Sequence, residues 1–334
     1  MGITGCQKSS SLGGQAAKPR DAISNENYAA VAKIPFELSD SLPLLVNYIL
    51  QETLFSGDTI KALLGHELNF AEHRITQEEW ETLLQSVMPN HDEVNALTKT
   101  NPAKKCPQGG AKDIKRLKEN QKDQILLTLD KCLLNGTPVS GKVLLENIAY
   151  QGMPYLDDQW DIKTLINLDL NLHHAMNKDQ NIKGPWQVQF HSEHGLIITQ
   201  LYTDQFMVNT GVDEIQLKEY KMSLEKNTAT GGYKLSILGK MDSKRHGLLS
   251  VKSDPIFESP NAAGPCDGTL VIMGISATSA QPAIILVKAD ETCASLQVSL
   301  DADSDHLSER RTNTAWDILT KSSKQLSLYR LYKN

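Results

Sequence analysis

The sequence predicts an α+β protein in which a small N-terminal bundle of helices is followed by an antiparallel β-barrel or β-sandwich. Apolar residues recur with a period near 3.6 over the first part of the chain, and the period changes towards 2 after Ile162. Many short apolar runs separated by turn residues then follow, as in barrels and sandwiches. The 334 residues are enough for two domains.

The helical prediction covers residues 31–150. After Ser41, leucine, valine and isoleucine residues keep the helical spacing until Gly57. Two shorter helices are expected before Pro89, the second opening on a capping box, and a fourth is expected over about 113–134. Their apolar faces have only each other to cover them, so the sequence predicts a bundle.

The β prediction covers residues 183–334, with 151–182 as a connecting segment. Alternation of apolar and polar residues from Ile166 to Leu172 already suggests a strand within that segment. The expected later strands are 186–191, 196–202, 205–209, 214–225, 232–238, 248–252, 269–277, 283–288, 295–300 and 325–332.

The N-terminus contains Ile3-Thr4-Gly5-Cys6, which resembles the lipobox of bacterial lipoproteins. The resemblance implies that Cys6 is lipidated, that the chain begins inside its own signal peptide, and that residues 1–30 form a flexible tether. Gln7 after the cysteine implies anchoring at the outer membrane. Myristoylation of Gly2 with acylation of Cys6, and an ordinary disordered N-terminus, remain as alternatives.

The other four cysteines form an even set, as disulfides in an oxidising compartment require. Two β-rich runs on either side of 278–281 predict a hairpin, and a turn centred between Ser279 and Ala280 places Cys266 opposite Cys293. A bridge between Cys106 and Cys132 is harder to form, because an unbroken helix over 113–134 holds these residues too far apart.

The β region begins with Gly184 two residues before Trp186 and ends with Arg330 on the last expected strand. This pattern resembles the calycin barrels, which include the lipocalins, and implies that Arg330 stacks across the Trp186 ring to close one end of the barrel. Inward side chains are then expected to line a pocket for a small apolar ligand, unless they simply fill a closed core. These inward residues are Val188, Phe190, Ile198, Phe206, Val208, Leu235 and Ile237.

Composition gives little support to other chemistries. The net charge is −6 and no basic stripe is interleaved with aromatic residues, so no nucleic-acid partner is expected. His191 and His194 can converge on a metal only if Gly195 places them in a turn, and this segment is interpreted as a solvated hairpin turn and not as a metal site. The adjacent His173 and His174 diverge in the same way. The acidic residues Asp301, Asp303 and Asp305 are interpreted as a polar loop, with a surface cation site as the alternative. No metal and no cofactor are predicted.

The sequence therefore predicts a cell-envelope lipoprotein with a non-catalytic binding role. Its partner is expected to be a small apolar ligand or another envelope or host component, in addition to the membrane that holds the lipid. Two alternatives remain. One is a cysteine-dependent hydrolase that uses Cys106 or Cys132, although no nucleophile motif accompanies either residue, and the other is a cytoplasmic, effector-like interaction protein.

Overall fold

A computed structural model shows that the protein is a β protein with one helix among the residues described. The predicted α+β class and the helical bundle are therefore wrong. The described residues are 21–53, 104–106, 109–119, 122–134, 137–151, 159–173, 179–211, 213–227, 229–261 and 264–315.

The described part of the chain contains a helix, α1 (Tyr28–Thr53), and fifteen strands in one antiparallel sheet. Successive strands are neighbours throughout, except that β12 pairs with β10 because β11 turns back onto β9. The strands are β1 (Lys104–Lys105), β2 (Ala111–Glu119), β3 (Lys122–Leu134), β4 (Thr137–Gln151), β5 (Gln159–Leu172), β6 (Gln180–Glu193), β7 (Leu196–Asn209), β8 (Glu214–Asn227), β9 (Gly231–Ser243), β10 (Gly247–Ser253), β11 (Phe257–Asn261), β12 (Thr269–Ile275), β13 (Pro282–Ala289), β14 (Ser295–Asp301) and β15 (Arg310–Ala315).

The error in the predicted bundle lies between residues 104 and 151. The expected helix over 113–134 is a hairpin of β2 and β3, in which Glu119 pairs with Lys122. In β3, Ile125, Leu127 and Leu129 are buried at every second position, as a strand requires. The two shorter helices expected before Pro89 and the strand expected over 325–332 lie outside the described residues.

The first predicted helix is confirmed, and it is longer than expected. It begins at Tyr28, after Asn27 has fixed the incoming chain by accepting a hydrogen bond from the Ser24 N–H and donating one to the Ala22 carbonyl. Its predicted apolar residues from Leu42 to Leu50 are buried. The helix therefore packs along the same apolar stripe that its sequence indicates.

Helix α1 is enclosed by the sheet. All six residues from Ile34 to Ser39 are buried, which a helix resting on one flat face does not allow. The helix also contacts strands that are far apart in the sheet order, namely β11 through Phe36 and Phe257, and both β13 and β14. We conclude that the sheet curves around α1, with buried side chains on its inward face and the alternate side chains on its outward face.

Bulges and glycines give the sheet its curvature. The strand register shifts between Leu129 and Cys132 and between Lys183 and Gln187, and similar shifts occur between β4 and β5 and between β8 and β9. Such bulges bend a strand and increase its twist. Gly239 lies beside the last of them with a φ of 152°, close against the backbone of Tyr220 on β8.

The segment before α1 attaches the helix to the sheet. Ile23 forms a parallel bridge with Ser276, its N–H donates to the Ile275 carbonyl at 2.8 Å, and its carbonyl accepts from the Ala277 N–H at 2.9 Å. Asp21 pairs with Arg245 in the turn between β9 and β10. These contacts fix where α1 enters the curved sheet.

Candidate interaction surface

The four cysteines after Cys6 form two disulfides. Cys106 is bonded to Cys132 with Cα atoms 5.6 Å apart, and Cys266 to Cys293 with Cα atoms 4.1 Å apart. The first bond is possible because residues 111–119 and 122–134 pair as β2 and β3, instead of forming the helix that was expected to separate its cysteines. Two disulfides in one chain indicate an oxidising, extracytoplasmic compartment.

The hairpin of β12 and β13 is confirmed, but its register differs by two residues from the expected one. Thr269 pairs with Lys288, whereas a turn centred between Ser279 and Ala280 places it opposite Asp290. Cys293 therefore reaches Cys266 from the loop after the strand, where it has a φ of 60°. The Thr292 N–H and the Ser295 hydroxyl donate to Asp290 in that loop and lower the pKa of its carboxyl.

The residues expected to line a ligand pocket lie mostly in the interior. Six of them are buried, namely Val188, Phe190, Phe206, Val208, Leu235 and Ile237, whereas Ile198 is only half-buried. On this part of β7 the buried positions next to Ile198 are Thr199 and Leu201, so Ile198 belongs to the outward face. The interior also contains α1, which packs against β11, β13 and β14.

Trp186 is fully buried at the point where a barrel-closing residue was expected. Its ring centroid lies 5.0 Å from that of Phe206 and 6.4 Å from that of Tyr220. Burial raises the pKa of Tyr220 far above its ordinary value. Arg330, the expected partner of Trp186, and Cys6, the expected lipidation site, both lie outside the described residues.

The histidines weighed as metal ligands are paired with carboxylates. His191 Nε2 lies 3.5 Å from a Glu193 oxygen, and His194 occupies the turn between β6 and β7 with a φ of 51°. The expected hairpin turn at His194-Gly195 is thus confirmed. His173 Nδ1 lies 3.0 Å from an Asp179 oxygen, in an exposed pair.

A groove of about 950 Å³, lined by both polar and apolar side chains, crosses the outward face of β5 to β9. Two rows of residues that pair across the neighbouring strands β5 to β9 line this groove. The first row consists of Leu165, Gln187, Tyr202, Lys221 and Leu238, and the second of Lys163, Gln189, Gln200, Ser223 and Ser236. The Lys221 ammonium lies 5.2 Å from the centre of the Tyr202 ring. The Tyr202 hydroxyl donates to Asp204, and this bond raises the pKa of Tyr202.

An apolar patch adjoins this groove on the outward face of β10, β12 and β13. Four of its side chains are exposed by 36 to 48%, and two more are half-buried. Met273 pairs with Ile284, and Val271 with Leu286, so the side chains are immediate neighbours. The apolar patch consists of Leu248, Val271, Met273, Ile275, Ile284 and Leu286.

The groove and the patch form one continuous surface. Leu238 at the end of the groove pairs with Lys252 on β10, and Lys252 pairs with Val271 in the patch. This surface spans eight strands, or about 34 Å at the usual spacing of about 4.8 Å between strands. This surface was not predicted, because the apolar runs of β12 and β13 were interpreted only as the two strands of a hairpin.

Within the described residues, no helix has the length and apolar character needed to cross a bilayer. Comparison with known protein families, with curated proteins and with solved structures finds no match for this chain.

Proposed function

We propose that this chain is an extracytoplasmic lipoprotein, tethered through Cys6, that binds another protein of the envelope or of a host. The observation that carries this proposal is the apolar patch on the outward face of the sheet. Soluble proteins rarely expose a contiguous set of large apolar side chains, and such patches mark sites of interaction. The two disulfides support the compartment in which such a partner is found.

A protein is the occupant that fits this surface best. Protein interfaces combine an apolar centre with a polar rim that offers hydrogen bonds, and here the amides and hydroxyls of the groove flank the apolar patch. Exposed charges near the patch have both signs, as in the pair of Lys252 with Asp254, whereas a site for anionic lipid is rich in cations alone.

Binding of a small apolar ligand and cysteine-dependent hydrolysis have less support than binding of a protein partner. A small apolar ligand in the interior has to share the space with α1, whose residues from Ile34 to Ser39 are buried there. A cysteine-dependent hydrolase needs a free thiol at Cys106 or Cys132, and these two residues are bonded to each other.

Photo-crosslinking in the native host tests the proposal. A photoreactive phenylalanine analogue at Met273, in the centre of the patch, is expected to give a covalent adduct with one discrete protein. The same analogue at Lys142, an exposed position on β4 outside this surface, is expected to give none. Adducts with lipid alone, or no adduct from Met273, contradict the proposal.

A matched pair of substitutions tests whether formation of the adduct depends on the apolar patch. Leu286→Lys places a charge in the patch, and Leu117→Lys places the same charge at a leucine on β2 with nearly the same exposure, 38% against 36%. Both variants are expected to fold, because both side chains point outward. Leu286→Lys is expected to reduce the adduct about tenfold or more through the cost of burying an unpaired charge, and Leu117→Lys to leave it unchanged. Equal adduct yields from the two variants contradict the proposal.

A further inference from the structure

The loop between β14 and β15 gathers four carboxylates in a small volume. Asp301, Asp303, Asp305 and Glu309 each present an oxygen, and these oxygens all lie within 4.8 Å of one another. Within the part of the chain that the structure describes, no lysine, arginine or histidine forms an ion pair with any of the four. Carboxylates this close repel one another unless a cation or a proton lies between them.

Asp301 gives an independent indication that a ligand belongs here. Its side chain belongs to the cluster and the residue is only 6% exposed. One oxygen, Oδ2, accepts the His306 N–H at 3.0 Å. The other, Oδ1, is buried and has no hydrogen-bond partner. A buried acceptor without a partner is costly, and coordination to a cation satisfies it.

The loop backbone holds the other three carboxylates in place. Asp303 Oδ1 accepts the Asp305 N–H at 3.3 Å, Asp305 Oδ1 accepts the Leu307 N–H at 2.8 Å, and Glu309 Oε2 accepts the Ala302 N–H at 2.8 Å. In each carboxylate one oxygen is thus fixed by a backbone donor, and the second remains for a ligand. Hydrogen bonds of this kind orient the ligands of metal sites.

The spacing of these residues is that of a calcium-binding loop over its first half. Calcium loops take ligands from positions one, three and five and need a left-handed residue at position six. Asp301, Asp303 and Asp305 occupy the first three of these places, and His306 at the sixth has a φ of 70°. Glu309 stands at position nine, which also supplies a ligand in such loops, often through water.

We propose that this loop binds a calcium ion through Asp301, Asp303, Asp305 and Glu309. Calcium takes six to eight oxygen ligands, whereas magnesium usually keeps several waters and is bound through one or two carboxylates, and this loop offers four carboxylates within 4.8 Å of one another. The site therefore favours calcium over magnesium. This inference is independent of the proposed partner and of the lipid anchor.

Titration of the EDTA-treated full chain with CaCl₂ by isothermal calorimetry tests the site. One calcium ion is expected to bind with a dissociation constant on the order of 10⁻⁴ M, as in extracellular calcium modules, and magnesium at least tenfold more weakly. The absence of calcium binding to the folded chain, or equal binding of the two ions, overturns the proposal.

Two substitutions separate this site from general attraction of cations to a negatively charged protein. Asp303→Asn, at an exposed position in the loop, is expected to weaken calcium binding at least tenfold. Glu291→Gln removes an exposed carboxylate from the turn after β13, outside the cluster, and is expected to change nothing. Calcium is also expected to raise the Tm of the unmodified chain and of Glu291→Gln, but not that of Asp303→Asn. Equal calcium affinity in the two variants overturns the assignment.

Discussion

Replacing Phe36 by alanine is expected to lower the free energy of unfolding by about 3 to 5 kcal/mol, the range for a fully buried phenylalanine. Phe36 is 1% exposed, and its ring meets that of Phe257 on β11 edge-on with centroids 5.3 Å apart. The substitution removes this contact and leaves a cavity between α1 and the sheet. Urea unfolding followed by the fluorescence of the buried tryptophans Trp160 and Trp186 measures the change.

Leu307→Ala is the matched control for the Phe36 variant. Leu307 is 71% exposed in the loop after β14, so its truncation is expected to change the free energy of unfolding by less than about 0.5 kcal/mol. If Phe36→Ala costs no more than Leu307→Ala, the helix is not enclosed as described.

Replacing Gly239 by alanine is expected to cost about 3 kcal/mol or more. Two penalties combine, because a φ of 152° is a conformation that residues with a side chain rarely adopt, and because a Cβ here lies only 2.6 Å from the Cα of Tyr220. The neighbouring strand has to move away to accept the methyl group. The change is measured as the shift of the urea midpoint.

The control for the Gly239 variant is a glycine with a positive φ at the start of a strand. Gly247, which opens β10, has a φ of 79°, and Gly247→Ala is expected to cost about 1 kcal/mol for that conformation. A smaller loss from Gly239→Ala than from Gly247→Ala contradicts the close approach of β8 and β9.

The strands of the second half of the chain could be predicted because their sequences alternate. In β5, apolar residues at every second position from Ile166 to Leu172 are all buried, and in the hairpin of β12 and β13 both strands lie where the apolar runs indicate. Alternation sets the face of each side chain directly. The two-residue error in the hairpin register arose because the position of the turn in 278–281 does not follow from alternation.

The prediction failed in β3 because its sequence fits two periods. Ile125, Leu127 and Leu129 alternate as in a strand, whereas Ile125, Leu126 and Leu129 together with Cys132 also fit one face of a helix. The pairing of β3 with β2 and β4 decides between the two, and that pairing is a tertiary property.

The candidate surfaces were hidden from sequence analysis for different reasons. In β12 and β13 both faces are apolar, so nothing in the sequence shows that Met273 and Leu286 remain exposed. The acidic residues of the loop after β14 were noted, but the burial of Asp301 and the missing partner of its Oδ1 depend on the folded loop. Periodicity reports which residues share a face, and it does not report what covers that face.

Hydrogen–deuterium exchange of the intact chain, read by mass spectrometry, tests most directly that the sheet encloses α1. Peptides from 28–53 are expected to be as well protected as peptides from β8 and β9, since their amides can exchange only when the whole fold opens. Peptides from the exposed loop over 302–308 are expected to exchange far sooner. Exchange of the α1 peptides within seconds at neutral pH, while the strands remain protected, would contradict the enclosed helix.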